Sequence, residues 1–408
     1  MHCSRSEIHG GTVTRFRATI AGLLTLTVGT ALTGCGSSGD DDNGDTVVIG
    51  LVCDTTGPGA GYATPACTAT KETIDQVNAD GGIDGKKVKV VQGNDESDPT
   101  KTPTVIQKLV SQGADALLML TSSAGVLQAK SLIERTKIPV FMPVAANPQV
   151  TEPPSNTYLY QLGTPTSDWA TVYCAAFDSL GAKKVAFLQD SSPSQVQFNK
   201  GLIDSLDCVD LDVVNGAIDA TDLSAEVAKI KNAGPDAVLV ATQNANFDVL
   251  AQNTLHQQLP GVPRFTELLL SSLPSAWAQA QPGALEGLVG LAGTTDTNTK
   301  TVEVAQFFAE TEGADFRVNN FWTQSYDAVQ ILKQAIEEAG TTDGEKLNAA
   351  IQDVTGFVAS SGYPGFTLSF GDDKHLGADG ICGLVLVEWD KDNQVAGPWS
   401  GYEPDCAA

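Results

Sequence analysis

Residues 47–52 read VVIGLV, and this uninterrupted apolar run decides the fold. Similar runs recur at 116–120 (ALLML) and 140–142 (VFM), and the stretches between them have the apolar spacing of amphipathic helices. Runs that are apolar throughout suit parallel strands that are buried on both faces. Because strands and helices alternate, we predict right-handed crossovers and a doubly wound α/β sheet.

The same alternation restarts after Thr164, which predicts a second α/β unit. Its predicted strands are 184–188, 211–214 and 237–240. A further strand is predicted at 287–292 and a long helix at 320–340, and strands and turns follow. The fold class is therefore predicted as α/β, with two doubly wound parallel-sheet lobes.

Composition limits the possible partners of this chain. Its 408 residues include 49 acidic and 24 basic side chains, a formal net charge of −25. Such a chain is repelled by the phosphates of nucleic acids, so we expect no nucleic-acid partner. The length is sufficient for two or three domains.

The N-terminal segment 1–34 has the pattern of a secretory signal. Three arginines and a single acidic residue precede an apolar run at 20–32, which is too short to span a membrane comfortably. The next residues, LTGC at 32–35, resemble the lipobox of bacterial lipoproteins, which implies cleavage before Cys35 and a lipid on its sulfur. Residues 35–45 are predicted to be a flexible tether. A membrane anchor helix that is never cleaved is the alternative.

Six cysteines follow Cys35, and an even number in an oxidising compartment predicts disulfides. Fifteen connectivities are possible for six cysteines. The sequence-near pairing, which we predict, joins Cys53 to Cys67, Cys174 to Cys208, and Cys382 to Cys406. The chain has no CxxC motif, and beyond the signal it contains only His256 and His375, both expected at the surface. We therefore expect neither a zinc site nor a cofactor.

Four short motifs resemble, in matching order, signatures of the leucine/isoleucine/valine-type periplasmic binding proteins. They are NADGGIDG at 78–85, DESDP at 95–99, GPDAV at 234–238 and SYDA at 325–328. The resemblance implies two lobes joined by three crossover strands, with the ligand bound between lobes that close by a hinge. The implied lobes are 46–163 plus 292–345 and 164–291 plus 346–408.

In the first lobe, candidate site residues follow two predicted strands, since open parallel sheets bind ligands at the carboxyl ends of their strands. Ser122 and Ser123 open a helix, where hydroxyls and free N–H groups favour an anion. The resemblance implies that Ser123 holds a ligand carboxylate, and the alternative is a plain N-cap. The next loop contains Ala145, Ala146 and Asn147. In the family this loop supplies backbone contacts and a threonine hydroxyl. Here Ala146 occupies the position of that threonine, and Asn147 is the possible substitute for its hydroxyl.

Two aromatic residues match positions that line the cleft in this family. They are Tyr62, which comes shortly before the first motif, and Phe321, which comes shortly before the last. For Tyr62 the alternative is a residue of a surface loop, and for Phe321 it is packing in the core.

The second lobe departs more from the family pattern. Asp190 follows a strand after which the family often has tyrosine, and Gln243 stands where an aromatic residue is expected. Asp190 is either a replacement anchor or a solvated turn residue. The family's acidic partner of a ligand ammonium would fall near 271–273, where there is no carboxylate; Glu267 is the nearest. Because an unpaired buried ammonium is costly, a carboxylate or amide ligand without a cation fits the sequence equally well.

We therefore predict an exported, lipid-anchored and monomeric solute-binding protein of an ABC importer. It would capture a small amino acid, amide or carboxylate and present it to an ABC permease. A ligand-sensing subunit of a signalling receptor is the first alternative. An exported hydrolase is the second, but the chain has no GxSxG elbow, HExxH motif or recognisable Cys–His arrangement.

Overall fold

The computed structural model describes residues 46–406 and contains two sheets rich in parallel strands, with helices packed around them. The predicted signal (1–34) and tether (35–45), including Cys35, lie outside the described residues. The first sheet has five parallel strands in the order β2-β1-β3-β4-β5. These strands are β1 (Thr46–Cys53), β2 (Lys87–Gly93), β3 (Ala116–Leu120), β4 (Val140–Met142) and β5 (Leu159–Gln161).

The second sheet is parallel from β7 to β10 and ends in an antiparallel hairpin that the sequence did not indicate. Its order is β14-β13-β10-β9-β8-β6-β7. A separate two-stranded ribbon pairs β11 with β12. The strands after β5 are β6 (Lys184–Asp190), β7 (Asp210–Gly216), β8 (Ala237–Ala241), β9 (Arg264–Thr266), β10 (Leu288–Ala292), β11 (Phe357–Val358), β12 (Thr367–Leu368), β13 (Val385–Trp389) and β14 (Val395–Pro398).

Twelve α-helices connect the strands within the described part of the chain. They are α1 (Ala60–Ala79), α2 (Thr102–Ser111), α3 (Ser123–Thr136), α4 (Thr166–Leu180), α5 (Pro193–Ser205), α6 (Ser224–Ala233), α7 (Ala245–Gln258), α8 (Leu268–Ser271), α9 (Pro274–Trp277), α10 (Thr299–Glu312), α11 (Asn320–Ala339) and α12 (Gly344–Gln352). None of the described helices combines the length and apolar character needed to cross a membrane.

The central strands are buried because helices cover both faces of each sheet. Every residue of β3, β4 and β8 is buried, as expected for strands that are apolar throughout. Helix α1 begins at Ala60 and accommodates Pro65 in its second turn. A proline near the start of a helix removes only a hydrogen bond of the first turns, so the helix continues through it.

The chain crosses between the sheets three times, after β5, after β10 and before β13. The crossing segments hydrogen-bond to one another and form the hinge. The Gly362 N–H donates to the Gly293 carbonyl at 2.7 Å, and the Asn298 Nδ2 donates to the carbonyls of Ser361 and Gly362 at 3.1 and 3.2 Å. Gln161 forms a parallel bridge with Leu376. The predicted hinge of three strands is present.

The segment after α11 divides differently from the sequence-based assignment, which gave 346–408 to the second lobe. Leu347 and Ile351 of α12, together with Phe366, belong to the buried cluster that contains Ile49 of the first sheet. Strands β13 and β14 pair with the second sheet. We call lobe 1 the first sheet with α1–α3, α10–α12, β11 and β12, and lobe 2 the second sheet with α4–α9.

The three predicted disulfides are confirmed. The Cα–Cα distances are 5.9 Å for Cys53–Cys67, 5.9 Å for Cys174–Cys208 and 5.7 Å for Cys382–Cys406. The first joins the end of β1 to α1 in lobe 1, and the second joins α4 to the turn after α5 in lobe 2.

Candidate functional site

The candidate site lies where the carboxyl ends of the parallel strands meet. In lobe 1 the loops after β1, β3 and β4 start side by side, since these strands are hydrogen-bonded neighbours. In lobe 2 the loops after β6, β8 and β9 are neighbours in the same way. Ligands of open α/β sheets bind at these edges, which makes the polar groups of these loops the candidate ligand contacts.

Ser122 and Ser123 have different roles in lobe 1. Ser122 is the N-cap of α3, and its side chain accepts a hydrogen bond from the Gly125 N–H at 3.2 Å. The Ser123 Oγ accepts from the backbone N–H groups of Ala146 and Asn147, each at 3.3 Å. Because both acceptor positions of Ser123 are occupied, its hydroxyl proton remains available for an acceptor on a ligand.

The structure brings the second predicted loop of lobe 1 against the first through these two bonds. Ala145 is buried, whereas Ala146 and Asn147 are half-buried. The Asn147 Oδ1 accepts from the Gln149 N–H at 2.9 Å and caps a short 3-10 helix. Its side-chain oxygen is therefore engaged locally.

Tyr62 and Phe321 form an aromatic wall of lobe 1. Their ring centroids are 6.0 Å apart, Tyr62 is half-buried and Phe321 is buried. Burial, with smaller contributions from Asp54 and Asp95, raises the pKa of Tyr62, so its hydroxyl stays neutral. Leu273 of lobe 2 packs against the same buried cluster, so apolar contacts extend across the two lobes.

Asp190 and Gln243 lie at the matching edge of lobe 2. Asp190 is 1% exposed; it accepts from the Ser192 N–H at 3.0 Å, from the Ser192 hydroxyl, and from the Thr242 hydroxyl at 2.6 Å. It is a buried, internally bonded residue and not a solvated turn residue. The Gln243 side chain is exposed, and its N–H donates to Gln195 Oε1 at 3.0 Å.

Glu267 is the feature of lobe 2 that the sequence did not place in the site. It directly follows β9, its side chain is 2% exposed, and its Oε1 has no hydrogen-bond partner among the described residues. Burial, and then the charges of Asp248 and Asp190, raise the pKa of Glu267 well above its usual range. Two residues further on, Leu269 packs in the buried cluster of lobe 1 together with Phe321, so Glu267 lies at the boundary between the lobes.

Neighbouring charges do not neutralise Glu267. Asp248 is itself buried and accepts from the Gln252 Nε2 at 3.0 Å and from the Thr266 hydroxyl; burial raises its pKa to about 7. Arg264, on the same strand, donates to backbone carbonyls of Ala284 and Glu286 at 2.6 and 2.9 Å. The lobe 2 edge therefore groups buried acids without a compensating cation among the described residues.

The position of the family's acid, near 271–273, has no carboxylate, and the nearest one, Glu267, follows β9, a strand that the sequence did not predict. That strand has three residues and begins directly after Pro263. In the sequence, the signal that could have located Glu267 is a carboxylate directly after a short buried strand at this edge. Residues 271–273 instead lie at the end of α8, where Ser272 bonds to lobe 1.

The two histidines of the described region differ from the expectation that both lie at the surface. His256 is exposed near the end of α7. His375 is buried, with its ring nitrogens 3.1 Å from the carbonyl oxygens of Leu159 and Asp372. In residues 46–406, no group of three or more His, Cys, Asp or Glu side chains could hold a metal ion.

Comparison with known proteins places this geometry in a family. The profile of the periplasmic binding protein family matches residues 46–394. A Leu/Ile/Val-binding protein homolog of Brucella suis is 25% identical over 352 residues, which are 85% of this chain and 91% of that protein. A leucine-, isoleucine-, valine-, threonine- and alanine-binding protein of Pseudomonas aeruginosa is 23% identical over 355 residues, 85% of this chain and 91% of that protein.

Solved structures show the same fold. The branched-chain amino acid transporter substrate-binding protein LivJ of Streptococcus pneumoniae, in complex with isoleucine, matches with a TM-score of 0.74 at 20% identity and covers 86% of this chain and 98% of its own. These comparisons confirm the resemblance read from the four motifs, and with it the two α/β lobes and a solute-binding protein rather than an enzyme. The chain belongs to the periplasmic binding protein family, in its type I, Leu/Ile/Val-binding class.

Proposed function

We propose that this chain is the extracytoplasmic solute-binding component of an ABC importer and that it captures an α-amino acid between its lobes. The observation that carries the choice of ligand is Glu267, a buried acid whose Oε1 has no partner at the boundary between the lobes. An ammonium group is the ligand chemistry that a buried, unpartnered carboxylate requires. Glu267 therefore supports an acid for a ligand amine in lobe 2, where positions 271–273 have none.

The two lobes match the two ends of a zwitterion. In lobe 1, the Ser123 hydroxyl has a proton to donate and α3 directs its N-terminus towards the same loop, which favours a carboxylate. In lobe 2, Glu267 offers an acceptor to the amine. Tyr62, Phe321 and Leu273 supply apolar surface for the side chain of the ligand.

The relatives support the same class of ligand. The proteins of Brucella suis and Pseudomonas aeruginosa are named for binding branched-chain amino acids, and the Streptococcus pneumoniae structure contains isoleucine. A carboxylate or amide without an amine would leave Glu267 unpartnered in a closed cleft. We therefore favour an amino acid with an apolar side chain.

The proposed mechanism is capture by lobe 1 followed by closure. The lobe 1 residues Ser123 and Tyr62 are half-buried and can be reached first. Closure then brings the ligand against lobe 2 and is favoured by contacts between the lobes. Binding energy shifts an existing equilibrium from the open form towards the closed form. The permease would recognise the closed form.

The membrane context is part of the proposal. The LTGC sequence at 32–35 supports lipid attachment at Cys35, and residues 36–45 would tether a monomeric domain to the outer side of the membrane. The family is extracytoplasmic, which agrees with an exported chain. We propose that lobe 1 comprises 46–163 plus 293–380 and that lobe 2 comprises 164–292 plus 381–406.

The test is the thermal stability of the mature domain in the presence of matched ligand pairs. Each pair consists of an amino acid and the same carboxylic acid without its amine. A ligand at about 100 times its Kd stabilises the folded state by about 2.7 kcal/mol, a visible shift in Tm. We expect the apolar amino acids to raise Tm and their amine-free partners to have little effect. Stabilisation only by amine-free acids or amides would overturn the proposed ligand class.

A further inference from the structure

Three buried carboxyl groups meet at the carboxyl edge of lobe 2 without a neutralising cation. Asp190 ends β6, Asp248 lies on α7 and Glu267 follows β9, and each is at most 2% exposed. Tyr173 of α4 adds a hydroxyl that donates to the Thr266 carbonyl at 2.9 Å. Among the described residues, the charged groups that act on Glu267 are Asp248 and Asp190, both acidic.

The hydrogen bonds of the three acids are unequal. Asp190 and Asp248 each have both carboxylate oxygens engaged by donors from their own lobe. Glu267 has an oxygen without any donor. Ionising Glu267 in the empty protein would therefore place an uncompensated charge in a buried site beside two other acids, which is strongly unfavourable.

We propose that Glu267 holds a proton in the empty protein and releases it to solvent when the ammonium group of the ligand arrives, so that capture is coupled to proton release. The inference rests on the proposed function, because it requires a ligand with an amine. No covalent bond to the ligand forms: the O–H bond of the Glu267 carboxyl breaks, its proton passes to the buffer, and a carboxylate–ammonium ion pair remains.

Coupling of this kind fixes the sign of the pH dependence. The ligand binds the ionised form of Glu267, whereas burial and the two neighbouring acids favour the protonated form in the empty protein. Below the raised pKa of Glu267, affinity falls about tenfold for each unit of decrease in pH. Above that pKa, affinity is constant until the amine of the ligand loses its own proton. Acidification would therefore release the ligand.

Isothermal titration calorimetry of the mature chain tests the coupling, with isoleucine as the probe. Titrations at one pH in buffers with different ionisation enthalpies give the number of protons released on binding. We expect wild type to release a fraction of a proton that approaches one as the pH is lowered. Glu286→Gln, at an exposed position of lobe 2, should still release it, whereas Glu267→Gln should release none. Isoleucine binding without proton release, or release that persists in Glu267→Gln, would overturn the inference.

Infrared difference spectra provide a second readout in case the variant binds too weakly to titrate. In wild type, addition of isoleucine should remove a carbonyl band of a protonated carboxyl group and add carboxylate absorption. A band that is unchanged at saturation would contradict the inference. If neither isoleucine nor any other amino acid binds the wild-type protein, it is the proposed function that fails, so the two failures are distinguishable.

Discussion

The groups of lobe 1 and lobe 2 that we propose as ligand contacts have opposite chemistry. Lobe 1 offers donors on half-buried residues, chiefly the Ser123 hydroxyl, whose acceptor positions are filled by two backbone N–H groups. Lobe 2 offers an acceptor on a buried residue, Glu267, within a group of acids. Under the proposed function, each lobe therefore serves one end of a zwitterion.

This difference explains why closure and binding would be linked. Hydroxyl and N–H donors form hydrogen bonds with water, so exposing them costs little free energy. The donors of lobe 1 can therefore remain hydrated before the ligand binds. A buried acid without a partner is costly in every state except the one in which a cation reaches it. The predictions below separate the contribution of each lobe.

The largest expected effect on stability comes from opening a disulfide, and two of the three allow the lobes to be compared. Replacing Cys174 and Cys208 by serine opens a loop of 34 residues and should lower the free energy of unfolding by about 4 kcal/mol. Replacing Cys53 and Cys67 opens a loop of 14 residues and should cost about 3 kcal/mol. Denaturant unfolding measures both losses.

The two disulfide variants should differ in affinity. The loop closed by Cys53–Cys67 carries Tyr62, so its opening should also weaken ligand binding. The Cys174–Cys208 bridge ties α4 to the turn after α5 and should leave Kd unchanged. Equal changes in Kd for the two variants would contradict the assignment of Tyr62 to the site.

The pH dependence of stability tests the buried acids of lobe 2. The folded-state pKa of Asp248 is raised from 3.8 to about 7 by burial. Between these values the unfolded chain has lost the proton that the folded protein retains, so wild type loses stability as pH rises through this window, by about 1.4 kcal/mol per unit. Asp248→Asn cannot titrate and should lack this contribution, while the buried Glu267 and Asp327 keep theirs. The exposed Asp212→Asn is the matched control and should follow wild type at every pH.

A smaller effect distinguishes two adjacent serines of lobe 1. Ser123→Ala removes a hydroxyl that would donate to the ligand carboxylate, and hydrogen bonds to charged groups are worth about 1.5–3 kcal/mol. We expect a loss of affinity of about 10- to 100-fold by calorimetry. Ser122→Ala removes only the N-cap of α3 and should cost about 1 kcal/mol of stability with little change in Kd. The reverse pattern would exclude Ser123 from the site.

The smallest effect concerns the bonds between the lobes. The Asn319 Nδ2 donates to the Ser272 carbonyl at 2.7 Å, while its Oδ1 caps α11. Asn319→Ser keeps a good cap and removes the bond between the lobes, so affinity should fall by a few fold, equivalent to about 1 kcal/mol. Asn244→Ser, at the cap of α7, is the control and should not change Kd. An unchanged Kd for Asn319→Ser would mean that this bond does not favour closure.

Much of the fold could be predicted because its strands are unusually apolar. Strands β3 and β4 have the predicted bounds, and the three disulfides join neighbours in sequence. Helix α10 was missed because its buried face is narrow: Thr301, Val304 and Phe308 are its buried residues. The lobe to which α12 belongs depends on packing against α11, which no local pattern encodes.

The site was less predictable, since its chemistry depends on which hydrogen bonds are already made. The sequence identified Ser123 but not that its acceptor positions are filled by the neighbouring loop. It identified Asp190 as a possible anchor, although that carboxylate is satisfied within lobe 2. The sequence identified Glu267 as the nearest carboxylate. Its position at the edge of the sheet depends on the three-residue strand β9, which the sequence did not predict.

The most direct test of the central claim is a thermodynamic cycle on Glu267. The Kd values of isoleucine and of 3-methylpentanoate, the same acid without the amine, would be measured for wild type and Glu267→Gln, with the exposed Glu286→Gln as control. We predict that Glu267→Gln weakens isoleucine binding by about 2–5 kcal/mol and leaves 3-methylpentanoate unaffected. An equal change for both ligands, or no change for isoleucine, would contradict the account.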